Sequence, residues 1–182
     1  MKEDKHEHSN IPIWAYETIE IEDSNVQWAR LGLQETRELF DLLSKFDIKE
    51  AEHIGSTAVP GLPAKPIIDV MIGIESFEKI HDIVDTLTLH DWHYVPPELD
   101  GQSWRRFFVK VKNDKRVAHL HIMKITEDRW GKQIEFRDKL RDNPSLVNEY
   151  GLLKRHLAKE FRNDREKYTQ AKAAFINQVL NT

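Results

Sequence analysis

The chain has 182 residues, a formal charge of −4, 32% charged residues and no cysteine, which fits one domain of ordinary size whose core needs no disulfide or metal staple. The acidic balance argues against a protein that coats nucleic acid, because phosphate backbones are met by basic surfaces. No apolar run approaches the ~20 residues of a membrane span, and without cysteine the chain needs no oxidising compartment, so a cytoplasmic protein without membrane contact is expected.

Residues 1–10 are polar or charged throughout and are expected to form a disordered tail; residues 11–182 are expected to form a single domain. Residues 18–22 alternate and predict an edge strand. Asp23, Ser24 and Asn25 offer caps for a helix reaching about Lys45, with Ala29, Leu33, Thr36, Leu39, Phe40, Leu43 and Phe46 as its buried face. Ala51 and Ile54, then Ile67, Ile68, Val70, Met71 and Ile72, read as two short buried strands joined by residues 55–66. Ser76 can cap a helix whose inner face is Phe77, Ile80, Ile83, Val84 and Leu87. Residues 92–95 predict a short strand, residues 96–103 a loop, and residues 104–112 and 116–125 an antiparallel pair turning at Asn113-Asp114. Three helices follow, with breaks at Asn143-Pro144 and Asn163-Asp164.

The connection over residues 55–66 holds three prolines and two glycines, so its path is fixed by preset φ angles while glycine permits close approach of a ligand. His119 and His121 stand two apart on a strand and therefore project to one side. Arg105 and Arg106 point to opposite faces, so only one of them can join that pair.

The string HIGSTAVPGLPAKPIIDVMIGI, followed in order by WRRFFVK, HLHIM, FRDKLRDNPSLVNEYGLLKRHLAKEF and YTQAKAAFI, resembles the GrpB family over roughly residues 14–180. The resemblance implies the nucleotidyltransferase fold shared with DNA polymerase β: an α/β (α+β) domain with a mixed sheet flanked by helices and a C-terminal helical part. It implies that Gly55 and Ser56 form the turn that binds a triphosphate, with the hydroxyls of Ser56 and Thr57 as donors and Lys65 as a point charge on a phosphate; whichever of Arg105 and Arg106 joins the histidines is expected to bind phosphate or carboxylate bidentately.

Metal chemistry in that superfamily rests on two carboxylates two apart on a strand, which point to one face and share divalent ions. With ten residues after the Gly-Ser turn, Ile67 stands first and Asp69 second; with twelve, Asp69 stands first and Met71 second. Either register loses one carboxylate. His119 and His121 occupy the place of a further ligand, and imidazole nitrogen suits zinc, manganese, nickel or iron better than magnesium. The expected centre is thus Asp69, His119 and His121 around a divalent ion, magnesium or a transition metal, with Asp69 and His121 catalytic. Arg137, Arg141, Lys154 and Arg155 in the tail, with Tyr168 and Lys172 in its last segment, are further candidates to ring the site. Two functions are expected from this pattern. One is transfer of a nucleotidyl or phosphoryl group from a nucleoside triphosphate to a small acceptor; the other is a catalytically inactive module that binds a nucleotide or phosphorylated ligand, or assists folding.

Overall fold

A computed structural model describes residues 12–182; the tail expected over residues 1–10 lies outside the described residues. Asn25 Oδ1 accepts from the Gln27 amide at 2.9 Å at the start of helix α1, Gln27–Leu43, which tightens into a 3-10 turn at Ser44–Phe46. Its buried residues are Trp28, Gly32, Leu39 and Leu43, while Leu33 and Phe40 face solvent. The inner stripe thus begins one position earlier than Ala29 and Leu33. Gly32 is the reason: a Cβ there would lie 2.0 Å from His53 Nδ1, and its absence lets the helix settle against the imidazole.

Strands β1 (Glu50–Ile54), β2 (Ile68–Ile74), β3 (Trp92–Val95), β4 (Arg105–Lys112) and β5 (Lys115–Lys124) form one mixed sheet in the order β1-β2-β5-β4-β3. β2 and β5 run parallel, and the other neighbours are antiparallel. The β4–β5 hairpin turns at Asn113 and Asp114, whose φ angles of 53° and 57° are those of a two-residue type I′ turn. Helix α2 (Ile80–Thr88) connects β2 to β3.

Alternation sorts the two faces. Val70, Ile72, Phe108, Leu120 and Ile122 pack with Leu39 and Leu43 of α1 and Ile83 and Leu87 of α2. Each such buried side chain contributes roughly 1.5–3 kcal/mol. On the opposite face, helix α4 (Asp128–Asp142) lays Trp130 against Met71 and Met123. Gly73 admits the indole, since a Cβ there would come within 3.2 Å of it.

Three expectations are corrected. Residues 18–22 do not join the sheet; Glu22 makes an isolated bridge to Ala64, and Ile19 is buried against Leu157, Ala158 and Tyr168, so the alternation serves the helical layer instead of a strand neighbour. The loop expected over residues 96–103 contains a short helix α3, Pro97–Asp100, opened by Pro97 and closed by Gly101 at φ 71°. The tail after α4 and α5 (Pro144–Glu160) divides into α6 (Arg165–Ala171) and α7 (Ala173–Leu180), because the turn at Lys172 lets Tyr168 pack beside Leu157 while Phe175 stacks on Tyr150. No described helix is long and apolar enough to cross a membrane.

Candidate active site

The loop over residues 55–66 leaves β1 at Gly55, whose φ of 72° and ψ of −170° belong to a region open essentially to glycine alone. A Cβ there would sit 2.6 Å from Asp69 Oδ2, so the turn folds directly over that carboxylate. The loop is tied from several elements. Thr57 Oγ1 donates to Ile67 O at 3.2 Å and lies 3.1 Å from His53 Nε2; Arg141 Nε donates to Ala58 O at 3.0 Å. Glu22 and Ala64 exchange backbone hydrogen bonds of 2.9 and 3.0 Å. From α5, Lys154 Nζ donates to Ser56 Oγ at 2.8 Å and also to Pro63 O. Val59 and Leu62 are buried with Leu140 and Tyr150. The result is a rigid rim.

In the parallel register of β2 and β5, Asp69 stands opposite His119, and in the antiparallel pair Phe107 stands opposite His121. His119 Nδ1 lies 3.0 Å and His121 Nε2 3.6 Å from the same oxygen, Asp69 Oδ1. The Asp69 side chain keeps 27% exposure against 11% and 14% for the two rings, so the carboxylate is the accessible member. Burial by itself raises the Asp69 pKa, but the two imidazoles beside it, His119 by a hydrogen bond of 3.0 Å, outweigh it and hold the carboxyl well below the usual carboxylate range. Burial pushes His119 down to about 4 and lowers His121 too, so both rings are neutral near pH 7. Asp69 is then an acceptor only, His119 Nδ1 carries that ring's hydrogen, and His119 Nε2 is buried without a partner among the described residues.

A second group borders the first. Lys65 comes from the loop, Lys154 from α5 and Lys172 from the turn after α6. Lys65 and Lys172 approach the Tyr168 ring at 5.6 and 4.3 Å, and Lys154 approaches the Tyr150 ring at 4.9 Å. Among the described residues, the lysines that pair with carboxylates are others: Lys49, Lys79, Lys110, Lys139 and Lys167. Burial pushes Lys65 down to about 8, Lys172 to about 7 and Lys154 to about 6; nearby cations push each further, and Asp69 opposes the shift. Crowded amines without a carboxylate partner among the described residues, Lys65 mostly charged and Lys172 about half charged near pH 7, make a local anion-attracting field in a protein of acidic balance.

The GrpB protein family profile matches residues 18–182. The chain belongs to the GrpB family. It is 32% identical over 156 residues to the glutamate-rich protein GrpB of Alkalihalophilus pseudofirmus, covering 85% of this chain and 89% of that one. The crystal structure of the conserved protein GrpB from Enterococcus faecalis is similar at a TM-score of 0.77 and 32% identity, over 88% of this chain and 94% of that chain. The Cid1 poly(U) polymerase bound to MgATP is similar at a TM-score of 0.51 and 15% identity, over 76% of this chain and 44% of that chain, a likeness of fold alone.

In this GrpB-family chain the expected site residues divide. Asp69, His119 and His121 come together, with one donor atom of each within 4.8 Å of the others. Gly55 lies over Asp69, and Ser56 and Lys65 are half-buried on the same loop. Thr57 is buried, and its hydroxyl is used inside the loop, so it faces no ligand. Arg106 lies over the Phe77 ring at 4.0 Å and donates to Ser103 O, on the other side of the sheet from the histidines. Arg105 is on the histidine side, but Asp100 and His121 already occupy its guanidinium. Arg137 ties α4 to Glu52, and Arg155 ties α5 to Asp23, both as structural pairs. Asp100 belongs to no sequence motif; the signal that could have found its helix is Pro97 at the start and Gly101 at the end. Two surface grooves, one between α1 and β1 at Phe40 and Glu52 and one at Pro63 and Gly151, lie outside this cluster.

The donor set does not fit a pair of magnesium ions. Ile67 and Met71, the two alternative places for a second carboxylate, are buried apolar residues. In donor kind it suits one nitrogen-preferring ion: a tetrahedral ion with ligands at about 2.0–2.1 Å holds them about 3.3 Å apart, the two separations from Asp69 Oδ1 are 3.0 and 3.6 Å, and the three donor atoms lie within 4.8 Å of one another.

Proposed function

We propose that this protein binds a phosphate-bearing small molecule of the nucleoside triphosphate class and transfers a nucleotidyl or phosphoryl group from it to a small acceptor. The observation that carries this reading is the convergence of Lys65, Lys154 and Lys172, none paired to a carboxylate among the described residues, on the Gly55–Ser56 loop beside the Asp69 cluster. With its oxygen accepting from Lys154 Nζ, Ser56 keeps its own hydrogen for a phosphate oxygen. Lys65 and Lys172 offset the negative charge of the phosphates. Asp69, His119 and His121 are the residues that would hold a divalent ion, and such an ion supplies polarisation of a phosphoryl oxygen when bound. Asp69 and His121 take the catalytic role by orienting the reacting groups there.

One observation favours a second reading, a catalytically silent module that binds a nucleotide or phosphorylated ligand, or assists folding: the carboxylate pattern stops at Asp69, with buried Ile67 and Met71 on either side. Thermal denaturation with a panel of nucleotides and divalent ions separates the two. Ligand at a hundred times its Kd stabilises by about 2.7 kcal/mol. Transfer predicts that a triphosphate raises Tm more with a divalent ion than with a chelator, and that phosphate or pyrophosphate is released. Equal stabilisation with and without the ion, and no release, selects the silent module. No shift with any phosphate compound removes both.

A further inference from the structure

Arg105 enters the site in a different way from a phosphate ligand. Its Nε and Nη2 donate to the two carboxylate oxygens of Asp100 at 2.8 and 2.6 Å, and its guanidinium lies 4.4 Å from the Phe107 ring centroid. Side-chain exposures of 16% for Arg105 and 7% for Asp100 make this an enclosed, fixed pair. The remaining Nη1 lies 2.6 Å from His121 Nδ1. A guanidinium has only donors and does not lose its proton in a protein, so at this contact His121 Nδ1 must accept. The hydrogen of the neutral ring therefore stands on Nε2, which lies 3.6 Å from Asp69 Oδ1. From Asp100 through Arg105, His121 and Asp69 to His119, every donor faces an acceptor.

A metal ion bound at His121 Nε2 needs the opposite tautomer. The lone pair on Nε2 must face the ion, and the hydrogen on Nδ1 must find an acceptor, which is how ligating imidazoles are usually oriented. Arg105 offers that nitrogen a donor, and it adds a positive charge beside the incoming cation. We infer that Arg105, anchored by Asp100, is a positioning residue that holds His121 in its Nε2–H tautomer, so that a transition-metal cation takes His121 as a ligand only when Arg105 leaves it. This regulation of the site rests on the reading of Asp69, His119 and His121 as a metal centre.

The test uses the full chain, freed of metal and carrying isotope-labelled histidine, as wild type, Arg105→Met and Asp100→Asn, with the His121 signals assigned by their loss in His121→Asn. Two-bond nitrogen–proton spectra read the tautomer; titration with cobalt(II), followed by calorimetry and the visible spectrum, reads the affinity. The expected result is hydrogen on Nε2 of His121 in the wild type, a shift toward Nδ1–H in Arg105→Met, and cobalt binding tightened about tenfold, the scale of second-layer effects on a ligating histidine. Asp100→Asn, which loosens the guanidinium without deleting it, moves both readouts the same way by less, and it stands in if Arg105→Met does not fold. Hydrogen on Nδ1 in the wild type, or a tautomer and cobalt affinity indifferent to both substitutions, overturns the inference. A shifted tautomer with no cobalt binding in any of the proteins upholds the hold of Arg105 on His121 and overturns the metal reading, so the two failures are told apart.

Discussion

At Gly55 two constraints meet on one atom that is absent: the backbone sits at a φ of 72°, and an added Cβ would lie 2.6 Å from Asp69 Oδ2. Gly55→Ala is expected to cost about 1–3 kcal/mol of stability through backbone strain, measured by urea denaturation, and to abolish any Tm shift by triphosphate because the carboxylate is displaced. Much of this site was legible residue by residue. Alternation puts His119 and His121 on one side of their strand, and the Gly-Ser turn with Lys65 marks the loop that borders them. The partners of the polar groups were not legible. Thr57 turns inward to Ile67 O, and Arg105 is occupied by Asp100, because the partner of a side chain depends on which distant group comes within about 3 Å of it.

Among the elements, α1 shows how a periodic pattern reads correctly in type and wrongly in phase. Spacings of three and four announced a helix with one buried face, and Leu39, Leu43 and the partly buried Phe46 lie on it. Near the helix start the buried positions are Trp28 and Gly32, because the closest approach to β1 is made where there is no side chain. Gly32→Ala is therefore expected to force α1 off His53 at a cost of roughly 1–3 kcal/mol, the range for overpacking. Leu33→Ala, at a position 51% exposed, is expected to stay within about 0.5 kcal/mol. Urea midpoints of the two variants check the phase directly, since the face read from periodicity alone predicts the larger loss at Leu33. α3 went unread for another reason: four residues are too short for any period, and its evidence was only Pro97 and Gly101 at its ends.

At the scale of the whole molecule, the lysine group joins the loop, α5 and the turn after α6. Folding moves Lys154 from its ordinary value of 10.5 to about 6, Lys172 to about 7 and Lys65 to about 8, chiefly by burial. In the window from about 6 to 10.5 the unfolded chain holds protons that the folded chain has released, so ligand-free stability rises with pH there, and the cost of burying the charges is fully felt below about 6. Lys154→Met is expected to remove part of that rise: relative to the wild type it is more favoured at about pH 6 than at about pH 9, a difference read from urea midpoints at both values.

Sequence by itself determined what is local: the strands and most helices, the two faces of β5, the stiff course of residues 55–66 and the placement of two histidines on one side. These follow from periods of two and 3.6 residues and from the restricted backbones of proline and glycine, which act within a few neighbours. The GrpB likeness added the family and with it the sheet. Only the tertiary structure decided that Asp69 stands opposite His119, that Lys65, Lys154 and Lys172 share one place, and that Asp100 holds Arg105 against His121. Those are contacts between segments far apart in the chain, set by strand register and helix docking; desolvation and charge act through space, and no spacing along the sequence records them.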